Sequence, residues 1–306
     1  MTVAATSTQA SPQAAHAAAQ AAHTSTQALF TARRLAQLAC QALNDELHLA
    51  PKPGLVDSRG PGVHQDMTLA MMRNAITALQ PTFYALALHA YHAAATPQLR
   101  TLLGSIGRAG EQAMLQATGG INTHRGAIWA LGLLVAAAAQ QPHALAPHAI
   151  AQRAAVLARL PDQHQSQPGQ PLPGTLACQR YGVGGARAEA QQGFPHIIQH
   201  ALPALQASRA RGHGEADARL DALLAIMAQL DDTCVLSRGG PDALAAVQHG
   251  AWAALAAGGA GHCDGRQQLL ALDHTMRRFN ASPGGAADLL AATLLLDRLD
   301  ALTARG

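Results

Sequence analysis

"EADARLDALLAIMAQLDD", residues 215–232, decides the fold class. Leu220, Leu223, Leu224, Met227 and Leu230 recur at intervals of three and four, so they fall on one stripe of an α-helix with one buried face. The same period recurs over 29–48, 66–94, 97–117, 124–140, 147–159, 186–208, 241–257, 265–278 and 284–303. Val, Ile and Thr are sparse beside Ala, Leu and Gln, only 3% of residues are aromatic, and no stretch alternates like a strand. The pattern predicts an all-α protein with a single multi-helix globular domain over 29–306. At 49% hydrophobic and 13% charged residues, that length fills a sizeable core. Residues 1–28, built from Ala, Gln, Thr and Ser, read as a disordered low-complexity tail with neither secretory nor transit features. "LPDQHQSQPGQPLPGT", 160–175, reads as an exposed loop inside the domain.

Several function classes drop out. A net charge of +3 with scattered arginines and no basic run interleaved with aromatics argues against nucleic acid as a partner. The most apolar stretch, "AIWALGLLVAAAA" at 127–139, is too short to cross a bilayer and reads as a buried core helix, so no membrane partner is expected. The four cysteines form no CxxC pair and no zinc spacing, which fits a reduced cytoplasm. There is no HExxH among sixteen histidines, and pairs such as His89 and His92 read as solvated.

Chemistry concentrates instead in glycine-containing junctions where helices begin or end. "PKPGLVDSRGPGVHQDM", 51–67, carries the only lysine of the chain, Lys52, on a stiff Pro-x-Pro loop; the other cationic side chains are arginines. "GGINTHRGA" with Arg125, "YGVGGARAEA" with Arg187 and "DDTCVLSRGG" with Arg238 each set glycine and a cation at a helix start, where free N–H groups favour an anion. Each alone is more often a tight turn; together with Lys52 they suggest a polyphosphate, although none matches a Walker A loop or a Rossmann fingerprint. Asp57, Asp66, Glu111, Glu189, Asp231, Asp232 and Asp288 accompany them. Asp231 and Asp232 suit Mg²⁺ arriving with a triphosphate, and equally suit a helix cap. "SPGGAADLL" reads as structural, with Ser282 an N-cap, Pro283 in the first turn and Asp288 too far in to matter. Asn122, Thr123, His124 and Arg125, clustered at the mouth of the most apolar helix, suggest a pocket.

The series "PKPGLVD…GVHQDM", "GGINTHRGAIWALGLL", "YGVGGARAEA…GFP", "DDTCVLSRGG" and "SPGGAADLLA", in that order over 51–292, closely resembles the triphosphoribosyl-dephospho-CoA synthases. The resemblance implies a helical enzyme that joins ATP to 3′-dephospho-CoA and releases adenine. Its product is the precursor of the prosthetic group on the acyl carrier subunit of malonate decarboxylase or citrate lyase, and the malonate decarboxylase branch is favoured. One departure is Arg125, where a lysine is common; Arg still neutralises phosphate, as a planar fork rather than a point charge.

The implied reaction has oxocarbenium character at the ribose C1 and sets three tasks. Lys52, Arg125, Arg187 and Arg238 are the candidates for holding the triphosphate, with Mg²⁺ on Asp231 or Asp232. Asp66 or Glu111 would take the hydroxyl proton and shield positive charge, and His64 or His124 would protonate adenine or orient a carboxylate. Asn122 and Thr123 would contact ribose hydroxyls. Replacing Lys52 by Ala is expected to cripple turnover and leave the helical fold intact. A rival enzyme reading is a Mg²⁺-dependent helical hydrolase of ADP-ribosyl or nucleoside linkages; a non-enzymatic one is a helical scaffold or carrier-protein chaperone. The apolar "AADLLAATLLLDRLDAL" helix is available for a homodimer or for core packing.

Overall fold

The structure, a computed structural model, describes residues 12–163 and 172–303, with side chains from residue 24 onward. The chain is helical: α1 (Pro12–His48), α2 (Leu69–Ala90), α3 (Pro97–Ala117), α4 (Arg125–Gln140), α5 (Pro147–Arg159), α6 (Pro173–Tyr181), α7 (Gly185–Gln191), α8 (Leu202–Ala210), α9 (Glu215–Met227), α10 (Thr233–Ala256), α11 (Cys263–Phe279) and α12 (Gly284–Thr303). Among the described residues there is no strand beyond one isolated bridge, Asp57 to Gly60. The all-α expectation holds, and among the described residues no helix is long and apolar enough to cross a membrane.

The core is built around α4, which is buried almost continuously from Ala127 to Gln140. It packs against α1, α2, α3, α5, α7 and α12, so the apolar run at 127–139 is a core helix, as its length required. Small side chains let six neighbours approach one axis: Ala130, Ala136, Ala137, Ala138 and Ala139 are all buried. α12 is the second core helix, with Leu289, Leu290 and Leu294 to Leu296 buried against α1, α4 and α9. Its apolar face therefore has an occupant, and the homodimer expectation loses the feature that motivated it.

Four sequence expectations need correction. α1 starts at Pro12, so helix replaces the tail expected over 12–28, because an Ala- and Gln-rich segment has high helix propensity; residues 1–11 lie outside the described residues. α6 occupies the end of the expected 160–175 loop, whose 164–171 stretch lies outside the described residues. The helix expected over 186–208 is broken at Gly193-Phe194-Pro195, where Phe194 has φ +56°, and resumes through a π-helical turn, His196–Ala201. In α9 burial runs all the way round from Leu220 to Met227, because α8, α10 and α12 enclose it.

α10 carries one further break. Gly240 has φ 70° and ψ −167° ahead of Pro241, so the helix bends there, and the turn before the bend presents Arg238. Leu134 is fully buried at the centre of α4. Leu134→Ala is expected to destabilise the fold by roughly 2–5 kcal/mol, read as a lower midpoint in chemical denaturation.

Candidate active site

Two carboxylates bring three helix starts to one place. Asp232 caps α10 by accepting the Cys234 N–H at Oδ1 (2.8 Å), and its Oδ2 accepts the Ala286 N–H (2.9 Å) in the first turn of α12. Asp288, on α12, accepts the Ala127 N–H in the first turn of α4. It lies so close to that turn that a Cβ on Gly126 would stand 2.0 Å from its Oδ2, so only glycine fits there. Asn122 accepts the Arg125 N–H (3.1 Å) at the same turn. The positive ends of α4, α10 and α12 thus face a common space, where backbone N–H groups and aligned peptide dipoles favour an anion.

Lys52 enters that space from below. It is 1% exposed, and its ammonium forms an ion pair with Glu46 of α1, itself buried. The loop that delivers it is fixed by its own side chains. The Lys52 N–H donates to Asp57 Oδ2 (2.8 Å), Arg59 clasps the same carboxylate, and the Gly54 N–H donates to Asp273 Oδ1 on α11 (2.9 Å). A lysine is retained here because a slender ammonium reaches a buried carboxylate that a guanidinium fork would overfill.

Two histidines line the same space in different states. His124 is buried, its Nδ1 is 2.8 Å from Thr123 Oγ1, and its Nε2 has no protein partner among the described residues. Burial, reinforced by the Lys52 charge, pushes its pKa down to about 4, so it is a neutral imidazole near pH 7. His64 is also shifted down, by burial and then by Arg238, against the opposing pull of Asp66. The Arg238 guanidinium points at His64 Nδ1 (3.4 Å), which makes Nδ1 the acceptor and leaves the Nε2–H to donate to Ser282 Oγ (2.9 Å).

These groups line a cleft of about 380 Å³, bounded by Glu46, Lys52, His64, His124, Arg238 and Asp288 among others, within the size range of small-ligand sites. It continues into a narrow recess of about 50 Å³ lined by Glu189, Asp231 and Asp232. Burial raises the Asp288 pKa well above the usual carboxylate range, and Glu46 and Asp232 add to the rise. Glu46 is matched by Lys52 and Glu189 by His196 (2.7 Å), which leaves Asp231, Asp232 and Asp288 on this floor with no ion pair among the described residues. That acid-rich, hard-oxygen donor set fits Mg²⁺, which takes one or two carboxylates and completes its shell with water and phosphate. Among the described residues no three metal-ligating groups converge here; the one such cluster, His262, Cys263 and Asp264, is on the exposed surface.

A cleft with a cationic upper wall and an acidic floor is the setting a nucleoside triphosphate needs, and comparison with known proteins agrees. Residues 32–306 match the CitG family of ATP:dephospho-CoA triphosphoribosyl transferases. This chain belongs to that family. A protein of Klebsiella pneumoniae named 2-(5''-triphosphoribosyl)-3'-dephosphocoenzyme-A synthase is 57% identical, over 87% of this chain and 94% of its own. Proteins of Azotobacter vinelandii and Pseudomonas fluorescens named as probable synthases of the same kind are each 56% identical, over 88% of this chain and 92% of theirs. No solved structure matches. The chain is therefore an enzyme of the triphosphoribosyl transferase family.

Within that transferase, the fold gathers Lys52, His64, Asn122, Thr123, His124, Arg125 and Arg238 on the large cleft, and Asp231 with Asp232 on its recess. The other candidates stand elsewhere. Asp66 has a half-exposed side chain beside His64 (3.7 Å). Glu111 is ion-paired with Arg125 and lines an adjoining groove. Arg187 is exposed and borders that groove's continuation. Asp232 is the cap that sequence allowed, with both oxygens engaged by backbone N–H groups. Sequence reading missed Glu46, which sits inside α1 with no motif around it, and dismissed Asp288, whose distance from its own helix start hides its contact with another. Trp129, whose indole N–H donates to the Ala186 carbonyl (3.0 Å), was legible only as a core aromatic.

Burial of the Lys52–Glu46 pair changes the expectation for Lys52. Lys52→Met should cost about 3–5 kcal/mol of stability by stranding Glu46, and adding Glu46→Gln should restore much of it, both read from urea denaturation. For His124 the folded pKa of about 4 lies below the unfolded 6.5, so between those values the unfolded chain takes up a proton that the folded chain refuses. Stability should fall by roughly 3 kcal/mol as pH drops through that window. Subtracting the same profile for His124→Gln isolates this contribution from the opposite one of Asp288.

Proposed function

We propose that the cleft transfers the triphosphoribosyl group of ATP to the ribose 2′-hydroxyl of 3′-dephospho-CoA with release of adenine. The observation that carries this reading is the convergence of three helix N-termini with Lys52, Arg125 and Arg238 above an acidic floor. The N-termini and the two arginines take the triphosphate, and Lys52, held by Glu46, supplies a fixed positive charge below it. Mg²⁺ arriving with ATP would be held by Asp231 and would neutralise phosphate charge.

In the reaction the bond from ribose C1 to adenine breaks, a bond from C1 to the acceptor oxygen forms, the hydroxyl loses its proton and adenine gains one. The buried carboxylate of Asp288, its pKa raised by burial and by Glu46 and Asp232, is a stronger base than an ordinary carboxylate, and we assign it the acceptor's proton. Asp66 at the rim and Glu111, locked to Arg125, are less suited to that task than the sequence reading supposed. His124 contributes a neutral hydrogen-bonding Nε2 to the ribose or the leaving base, and Asn122 and Thr123 line the approach to the ribose hydroxyls. His64 orients Arg238. Four free cysteines and a need for ATP support a cytoplasmic setting. The favoured destination of the product, the acyl carrier subunit of malonate decarboxylase rather than citrate lyase, rests on the motif resemblance alone.

The test is an incubation of purified protein with ATP, 3′-dephospho-CoA and MgCl₂, followed by mass spectrometry. Free adenine and the triphosphoribosyl adduct are expected in equal amounts, EDTA should abolish both, and Asp288→Asn should lower turnover about 100-fold or more. Adenine or ribosyl products without the adduct would indicate a hydrolase, and no product with no ATP binding would return the scaffold reading.

A further inference from the structure

Trp129 lines both the cleft and a second cavity, an open groove of about 190 Å³ between α3 and α4. Its floor is open at Gly107 of α3, whereas Asp162 lies against Gly104 and Leu86 against Gly132 of α4, and Leu103, Ile128 and Leu133 make it apolar. Its rim is cationic. Arg100 and Arg108 converge on one carboxylate, Asp162 (3.4 and 2.8 Å), Arg125 pairs with Glu111, and Arg187 pairs with no carboxylate among the described residues.

Arg100 is the most informative member. Its side chain is 9% exposed, its Nε is buried with no partner among the described residues, and its guanidinium lies 5.2 Å over the Trp129 ring. Burial lowers its pKa, and the charges of Arg108 and Arg187 push the same way while Asp162 opposes them. Four arginines facing two carboxylates at the rim of a solvent-open groove is an arrangement that an anion relieves. Guanidinium forks match the paired oxygens of a phosphate.

The cleft accounts for ATP but leaves most of the second substrate without a place. Dephospho-CoA presents its ribose 2′-hydroxyl to the reaction, and from the same ribose a diphosphate and a long, uncharged arm of amides and methylenes lead away. We propose that the α3–α4 groove binds this part of the acceptor, with the diphosphate on Arg108, Arg187 and Arg100 and the pantetheine arm along the apolar floor at Gly107. The inference rests on the transferase reading and deepens it. It also moves Arg187 from the triphosphate to the acceptor. The groove begins at Arg125 and Trp129, where the cleft ends, so an acceptor lying in it delivers its ribose to the reacting carbon.

Gly107→Leu tests the arm. A Cβ at residue 107 meets nothing nearer than Ile128 Cγ2 at 3.9 Å, so the side chain fills the groove without strain and removes a helix-weakening glycine. The variant should melt at or above the wild-type temperature. Its KM for dephospho-CoA should rise about tenfold or more, with the KM for ATP within about twofold. Arg108→Gln should show the same split. Unchanged acceptor KM in Gly107→Leu, or a rise confined to ATP, would overturn the proposal.

Calorimetry of dephospho-CoA alone separates this inference from the reading beneath it. Binding weakened about tenfold in both variants supports the groove, and equal binding in all three proteins sinks it. Groove-dependent binding by a wild-type protein that forms no adduct would remove the transferase reading and keep the acceptor site. Failure of the wild type to bind dephospho-CoA would remove both.

Discussion

Asp232 accepts backbone N–H groups from two helices with the two oxygens of one carboxylate, and Asp288 repeats the device between α12 and α4. A helix start leaves its first N–H groups without intrahelical partners, and an acidic cap normally satisfies its own helix. Here the acid of one helix satisfies the start of another, so the positions of α4, α10 and α12 are mutually fixed. The cleft follows from that fixing. Three aligned peptide dipoles point into one volume, and the carboxylates that hold them form its floor.

The same economy governs Lys52. Its ammonium is buried against Glu46, and its loop is locked by Asp57, Arg59 and Asp273. A buried pair of this kind contributes little net stability and strongly penalises the loss of either partner, which holds the charge in one place rather than strengthening the fold. The Lys52 charge also helps keep His124 neutral, so a cation and an unprotonated imidazole coexist in the cleft at neutral pH. Trp129 then divides this polar space from the α3–α4 groove while belonging to both. A reaction with two large anionic substrates needs such a division, since their phosphates repel each other unless separate cations take each one.

Most helices were legible because packing between helices imposes a period of 3.6 on the sequence, and α2 to α5, α9, α11 and α12 lie where that period placed them, whereas α10 begins at Thr233, eight residues before the expected 241, and bends at Gly240. Misreadings fell where the period is silent. An Ala- and Gln-rich stretch is polar enough to read as a tail and helical enough to extend α1. The break after α7 depends on Phe194 at positive φ, a backbone state that no side-chain pattern announces. Among the residues that line the cleft, those in glycine junctions were legible because junction composition is local. Glu46 and Asp288 were not, because each sits inside a regular helix and acts on a residue from another element.

The sequence by itself determined the helical class, the apolar core helix at 127–139, the junctions that line the cleft and the family to which the chain belongs. These follow from local propensities, periodicity and motif order, which are properties of short stretches of chain. Only the tertiary structure decided which junctions meet, that Asp232 is a shared cap, that Asp288 faces the cleft, and that Glu111 and Arg187 border a different groove. Those facts depend on distances between residues far apart in sequence, and a buried charge takes its properties from the neighbours that burial brings to it.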